Sequence, residues 1–183
     1  MDYREIQKFR SQLDSPFLET NPIYLKAIFK TLEKEFALKK DSKQVFIDLG
    51  AGNGQIIIFS ALNYGIKSIG IEIDPILINE AKNSIKSLKK QKTYKKSLFK
   101  KIKIIHGDFY QLNLRNCDFI YIYSLPTMQI YLRHVFKTVE IGSVIISHKY
   151  MLENLAEYLD FKHKLEFDKE NQKLSTFFYR RIQ

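Results

Sequence analysis

A chain of 183 residues, 45% of them apolar, favours one domain with a packed core. Its net charge of +10 suits an anionic partner, although a composition rich in Lys, Ile, Asn and Tyr gives the same balance without one. One cysteine, Cys117, excludes an internal disulfide framework and a cysteine-built zinc site, and no apolar run approaches the roughly 20 residues of a membrane span, so the cytoplasm is expected.

Residues 1–43 read as an arm and a helix. The stretch "DSPFLETNP" is a proline-punctuated loop, and behind it Tyr24, Ile28, Leu32 and Phe36 step by four, one apolar stripe of a helix. Glu19 and Thr20, late in the loop, either close over a ligand of the domain or lie in a surface loop.

Residues 44–183 change every 20 or so residues between β-branched runs and helical segments, as βαβ units on a parallel sheet do. The runs are "QVFIDL", "SIGIEI", "KIKIIH", "DFIYIYS" and "GSVIISHKY". After the second, Asp74 caps a helix with Pro75 at its first position, and Leu77, Ala81, Ile85 and Leu88 recur at helical spacing. That helix runs into "KSLKKQKTYKKSLFKKIK", Lys86 to Lys103, which either docks an acidic partner or is solvated. The segment "MQIYLRHVFKTVEIG" reads as one helix closed by Gly142. The end, "HKLEFDKENQKLSTFFYRRI", is strand, polar turn, strand, so a closing antiparallel strand is expected. Cys117, beside the fourth run, is a packing residue.

The turn after the first run, "DLGAGNG", carries Gly50, Gly52 and Gly54 with Asp48 at its entrance. In a doubly wound fold this turn meets the ligand at the carboxyl ends of the strands. A carboxylate there repels a pyrophosphate by roughly 1–4 kcal/mol. The dinucleotide spacing fails as well, because its third glycine falls on Gln55, and the Gly-Lys-Ser/Thr ending of a triphosphate loop is missing. S-adenosylmethionine, with an ammonium and a sulfonium, turns that repulsion into attraction, and glycines let backbone approach it closely. Glu72, ending the second run, suits ribose hydroxyls. Asp108, in "HGDFY" after the third, suits the adenine amino group, or is a loop cap; together the acids form a row at three adjacent strand ends.

In "DLGAGNG", "GIEIDP" and "HGDFY" the sequence resembles the class I, Rossmann-like S-adenosylmethionine-dependent methyltransferases, over residues 44 to about 150. The resemblance implies an α/β doubly wound, mostly parallel seven-stranded sheet with a C-terminal antiparallel strand. It implies cofactor contacts from Asp48, Gly50, Gly52 and Gly54 at the methionine end, Glu72 at ribose, and Asp108 with Phe109 at adenine, with Thr20 of the arm counted among them. More narrowly the chain is similar to the small archaeal protein-lysine methyltransferases and their mitochondrial relatives, in "SPFLETNP", "DLGAGNGQI" and "GSVIISHKY". It departs from them at Asn53, usually an acid, at Gln55, usually arginine, and in a longer lysine insert.

Methyl transfer is an in-line displacement that needs an aligned, uncharged nucleophile and little water. A lysine must first lose its proton, which desolvation and a neighbouring cation favour, so a polar rim is sought and not a triad. Tyr121 and Tyr123 alternate onto one face of the fourth run, and Ser124, Leu125 and Pro126 turn over its end. Enzymes acting on planar nitrogens carry Asn/Asp-Pro-Pro-aromatic here; "SLPT" lacks it, and Tyr123, Ser124 and Pro126 become the candidate acceptor rim, with Tyr123 equally able to be buried wall. His148 reads as a satisfied strand-end histidine, and no spacing of His134, His148 and His163 argues for a metal. The expected activity is methylation of a lysine in a protein by a monomer. The alternatives are an RNA methyltransferase, or a protein that binds cofactor or nucleic acid without chemistry.

Overall fold

A computed structural model of the chain describes residues 20–169 and 172–183; Glu19 and most of the arm lie outside the described residues. Helix α1 (Pro22–Glu35) begins where the Asn21 side chain accepts a hydrogen bond from the Ile23 amide, with Pro22 at a position that needs no N–H. The expected stripe of Tyr24, Ile28, Leu32 and Phe36 is buried, and Leu25 and Phe29 widen it. This face packs on Phe46, Phe119, Tyr121, Val144, Ile146 and Phe178 of the sheet. Each large side chain so removed from water contributes roughly 1.5–3 kcal/mol.

Strands β1 (Val45–Leu49), β2 (Lys67–Glu72), β3 (Ile102–His106), β4 (Phe119–Ile122) and β5 (Val144–His148) run parallel. The terminal hairpin supplies β6 (Leu159–Lys169) and β7 (Gln172–Arg181), and β7 is antiparallel to both its neighbours. The seven strands lie in the order β3-β2-β1-β4-β5-β7-β6, the doubly wound sheet expected. Because β1 pairs with β2 on one side and β4 on the other, the strand order reverses there, and a crevice opens at the carboxyl ends.

Helix α2 (Gln55–Tyr64) follows the glycine loop, and α3 (Pro75–Gln91) follows β2. Asp74 caps α3 as expected, its Oδ1 accepting from the Ile76 amide at 2.7 Å. The lysine-rich stretch forms a short helix, α4 (Lys96–Phe99), whose Phe99 packs with Ile58 and Leu62 while most of the lysines face water. Rising about 1.5 Å per residue, α3 carries Lys90 roughly 22 Å from Pro75, so this basic surface lies toward the opposite edge of the sheet from the crevice.

The single helix expected over residues 128–142 is not what forms. Instead α5 (Pro126–Gln129), a 3-10 turn (Ile130–Leu132) and α6 (Arg133–Phe136) succeed one another, and Gly142 closes a later turn at φ +91°. Met128, Leu132, Val135, Phe136 and Val139 are buried at α-helical spacing, with Gln129 buried beside them. The Gln129 side-chain amide reaches the Ser124 carbonyl at 3.4 Å and the Thr138 hydroxyl accepts from the Leu114 amide at 2.8 Å, contacts that accompany the interruption of the helix.

Candidate functional site

The loop from β1 to α2 folds onto the end of β2. The Gly50 and Ala51 amides both donate to the Ile71 carbonyl, and Gly50, Gly52 and Gly54 all take positive φ, at +85°, +53° and +77°. Residues with a Cβ rarely adopt that region, which is why glycine recurs at these positions. The close approach depends also on Gly70 in β2, a residue the sequence reading passed over: a Cβ there would lie 2.6 Å from that of Ala51. A glycine inside a strand was the available signal.

Asp48 pairs in register with Gly70 on β2 and with Tyr121 on β4, and is 2% exposed. Burial pushes its carboxyl well above the usual range, and the Glu72 carboxylate raises it further. Among the described residues no ion pair includes Asp48. A buried acid beside a second acid is costly unless a cation completes the site.

Glu72 is the keystone of the loop. One oxygen accepts from the Gly52 amide at 2.7 Å, and the other from the Ile73 and Asp74 amides at 2.8 and 2.9 Å. A carboxylate has about four acceptor positions, so one remains for a ligand hydroxyl. Glu72→Gln would set an NH2 against one or more of these donors; we expect a loss of about 1–3 kcal/mol in stability, read by denaturant titration, with weakened ligand binding.

Asp108 follows β3 and caps the 3-10 turn Phe109–Gln111, its Oδ1 accepting from the Tyr110 amide at 2.9 Å. The loop-cap alternative therefore describes one of its oxygens; the other is 3.4 Å from the Gln111 amide nitrogen. Phe109 lies against the glycine loop, 3.7 Å from where a Cβ of Gly50 would stand. Since β3, β2 and β1 are adjacent, Asp108, Glu72 and Asp48 form the expected row. Thr20 joins it from the arm: it is buried, with its hydroxyl 3.5 Å from that of Tyr121.

Beyond β4 the polar rim is assembled from several elements. Tyr121 is buried in the core beneath α1, and Tyr123 packs half-buried on the same face, as alternation requires. Ser124 is 1% exposed, and among the described residues neither its hydroxyl nor the buried Tyr110 hydroxyl has a partner; burial, then Asp108 and then Tyr131 push Tyr110 up to about 12. Buried hydroxyls without partners are what a ligand or ordered water would satisfy. Pro126 is exposed and opens α5. His148 is held by the Thr176 hydroxyl at 2.7 Å, and burial followed by Lys149 lowers it to about 4, the satisfied histidine expected. The sequence reading missed Lys149 and Tyr150, which stand beside Tyr123. Cys117 packs in the core, its thiol pushed up to about 11 by burial and by Asp118, with Lys67 opposing.

A hollow lined by Glu35, Phe36, Lys162, His163 and Arg180 lies at the amino end of β5, away from this row. Among the described residues no group of three or more His, Cys, Asp or Glu could hold a metal ion, and no helix is long and apolar enough to cross a membrane.

The arrangement fits a cationic nucleoside. An uncompensated buried acid suits a cation, left-handed glycines leave room beside it, and acids on the next two strands suit hydroxyl and amino donors. Known proteins agree. Residues 48–158 match the family described as ANTKMT methyltransferase domain. A protein-lysine N-methyltransferase of Saccharolobus islandicus (strain REY15A) is 25% identical over 114 residues, which span 61% of this chain and 66% of that protein, just under two thirds of its length. Among solved structures, an RNA methyltransferase from Salinibacter ruber, in complex with S-adenosyl-L-homocysteine, superimposes with a TM-score of 0.71 at 21% identity, covering 91% of this chain and 95% of that one. An rRNA methylase from Streptococcus thermophilus gives 0.61 at 11% identity, covering 91% and 100%. At such identities the structural likeness establishes the fold.

Proposed function

The chain belongs to the ANTKMT methyltransferase domain family, Rossmann-like and S-adenosylmethionine-dependent, and from that premise we propose that it methylates a lysine side chain of a protein. The observation that carries the proposal is the chemistry of the acceptor rim. At the end of β4 the half-buried Tyr123 presents its hydroxyl to an aliphatic ammonium, that of Lys149, at 3.3 Å. A planar base nitrogen would call for an amide and a proline-aromatic platform; Tyr123-Ser124-Leu125-Pro126 offers neither. The archaeal relative's description as a protein-lysine N-methyltransferase supports the same acceptor.

When bound, S-adenosylmethionine would supply an electrophilic methyl on a sulfonium, with a neutral thioether as the leaving group. Asp48 holds the methionine ammonium, Glu72 the ribose through its remaining acceptor position, and Asp108 with Phe109 the adenine. The glycine loop lets its backbone reach the methionine portion. Thr20, beside Tyr121 at 3.5 Å, would keep water from this end of the crevice. Tyr123, Ser124 and Pro126 border the acceptor, and Tyr123 and the Ser124 hydroxyl orient the amine in line. The amine gives its proton to solvent before transfer, helped by the desolvated rim, so no dedicated base is required. His148, with its proton affinity lowered to about 4 by burial, is neutral near pH 7 and serves to position Tyr123, against which its ring packs edge-on at 5.5 Å.

An RNA acceptor is the second reading, favoured by the lysine-rich surface and by the descriptions of the two solved structures. That surface lies toward the opposite sheet edge from Tyr123, which weakens it as a guide to the acceptor. Incubating the protein with methyl-labelled S-adenosylmethionine and nuclease-treated lysate separates the two. Label should enter protein and be recovered after acid hydrolysis as methyl-lysine; label appearing only when RNA is retained would overturn the lysine assignment.

A further inference from the structure

Strand β5 ends at His148, and the next residue, Lys149, takes φ +71°, a conformation that favours glycine. Two hydrogen bonds hold it there: the Lys149 amide donates to the Ser175 carbonyl at 2.7 Å, and the Ser147 hydroxyl donates to the Tyr150 carbonyl at 2.6 Å. This turn projects the Lys149 side chain back over the end of β4. Its ammonium lies 5.9 Å from the Tyr123 ring centroid and 5.4 Å from that of Tyr150, and 3.3 Å from the Tyr123 hydroxyl. The two rings are nearly parallel, 23° apart in plane with centroids separated by 6.4 Å. Tyr123 is fixed from behind by His148, itself tied to Thr176. The ammonium meets the two tyrosines at their hydroxyls, that of Tyr123 at 3.3 Å and that of Tyr150 beside it, and two phenol oxygens so placed form a receptacle for an aliphatic ammonium.

We propose that Tyr123 and Tyr150 are the seat of the acceptor lysine's ammonium, and that Lys149 occupies this seat in the free protein as a built-in competitor which the acceptor displaces. The inference rests on the lysine reading above and goes beyond it by naming the second wall and the resident cation. Its hydrogen bond to Tyr123 raises its proton affinity, so Lys149 holds the seat as a charged ammonium; the acceptor enters in the same form and gives its proton to solvent before transfer. The side chain is also exposed, so it can leave the seat without unfolding the turn. Neutral phenol hydroxyls holding an exposed ammonium bind it weakly, which suits a resident that must yield.

The test uses the whole chain with poly-L-lysine as the acceptor probe. Lys149→Gln and Lys149→Gly, the second suited to the positive φ, should each lower KM for poly-L-lysine about two- to fivefold and leave kcat within about twofold. Tyr150→Phe, which removes only the hydroxyl, should raise KM by a similar factor, and Tyr150→Leu should do the same. In carbon-proton NMR, the ε-methylene signal of Lys149 should stand away from the ordinary lysine position because its ammonium is held beside the two phenol rings. It should move to the ordinary lysine position on Tyr150→Leu, or when poly-L-lysine is added to the wild type. If methyl-lysine forms but both Lys149 variants leave KM unchanged or raise it, the competitor is refuted while the lysine reading survives. If poly-L-lysine neither accepts methyl nor shifts the Lys149 signal, the seat is refuted. Label recovered only from RNA would remove the lysine reading itself.

Discussion

Asp48→Asn is expected to abolish cofactor binding near neutral pH and, at the same time, to raise the thermal stability of the free protein. Both effects follow from one buried charge. With its carboxylate 2% exposed and Glu72 acting on it, Asp48 is costly when ionised and alone. Two opposite charges about 4 Å apart attract by ~4 kcal/mol at an effective dielectric of 20, so removing this partner from the ammonium of S-adenosylmethionine weakens binding by up to about 1,000-fold. The pH dependence has a fixed sign. Because the folded protein raises the Asp48 carboxyl above its ordinary value of 3.8, its contribution to stability is fully present below 3.8 and is lost as pH rises through the raised value. Cofactor affinity runs the other way, increasing with pH across the same range as Asp48 ionises. Thermal melts and calorimetric titrations of wild type and Asp48→Asn across pH would read both slopes, and in the variant both should flatten. A variant that bound S-adenosylmethionine as tightly as wild type would refute the role.

Gly70→Ala should cost stability and cofactor affinity together, although residue 70 touches no ligand in this account. The added methyl would stand 2.6 Å from the Ala51 Cβ and 2.9 Å from side-chain carbons of Ile57 and Ile104. Ala51 belongs to the loop whose amides are fixed to Ile71, so either the loop lifts or β2 parts from β3. Overpacking of this kind costs about 1–3 kcal/mol, a fall of roughly 2–12 °C in Tm for a chain of this size. Lifting the loop also moves Gly52 off Glu72, and we expect at least about a tenfold loss of cofactor affinity, in keeping with the 1.4 kcal/mol that each tenfold represents. Gly107→Ala is the control, because its added methyl meets only Ile71, at an ordinary 3.7 Å. Equal effects at the two positions would show that loop approach is not what Gly70 provides.

What could be read from the sequence was whatever depends on residue type at short spacing. Asp74-Pro75 announced its helix, the stepping of Tyr24, Ile28, Leu32 and Phe36 announced the face of α1, and the row Asp48, Glu72, Asp108 followed from strand ends that the topology places side by side. What escaped depends on contacts between distant segments. Residues 128–142 carry an α-helical pattern, but with Gln129 buried and Thr138 anchored to Leu114 the segment is two short α-helices joined by a 3-10 turn. Gly70 is one glycine in a β-branched run until Ala51, nineteen residues earlier, is seen resting on it. Tyr123 reads as a wall or a rim with equal reason from the sequence, and its neighbours Lys149 and Tyr150, brought beside it by the turn after β5, could not be foreseen there.

The central claim is electrostatic: this crevice is built around a buried acid for a cationic nucleoside. Calorimetric titration of the wild-type protein with S-adenosylmethionine, S-adenosylhomocysteine, ATP and NADH tests it most directly. Saturable binding of the first two, whose amino acid ends both carry an ammonium, with no measurable uptake of ATP or NADH, is the predicted result. Tight binding of either phosphorylated nucleotide, with no heat from the two sulfur nucleosides, would contradict it.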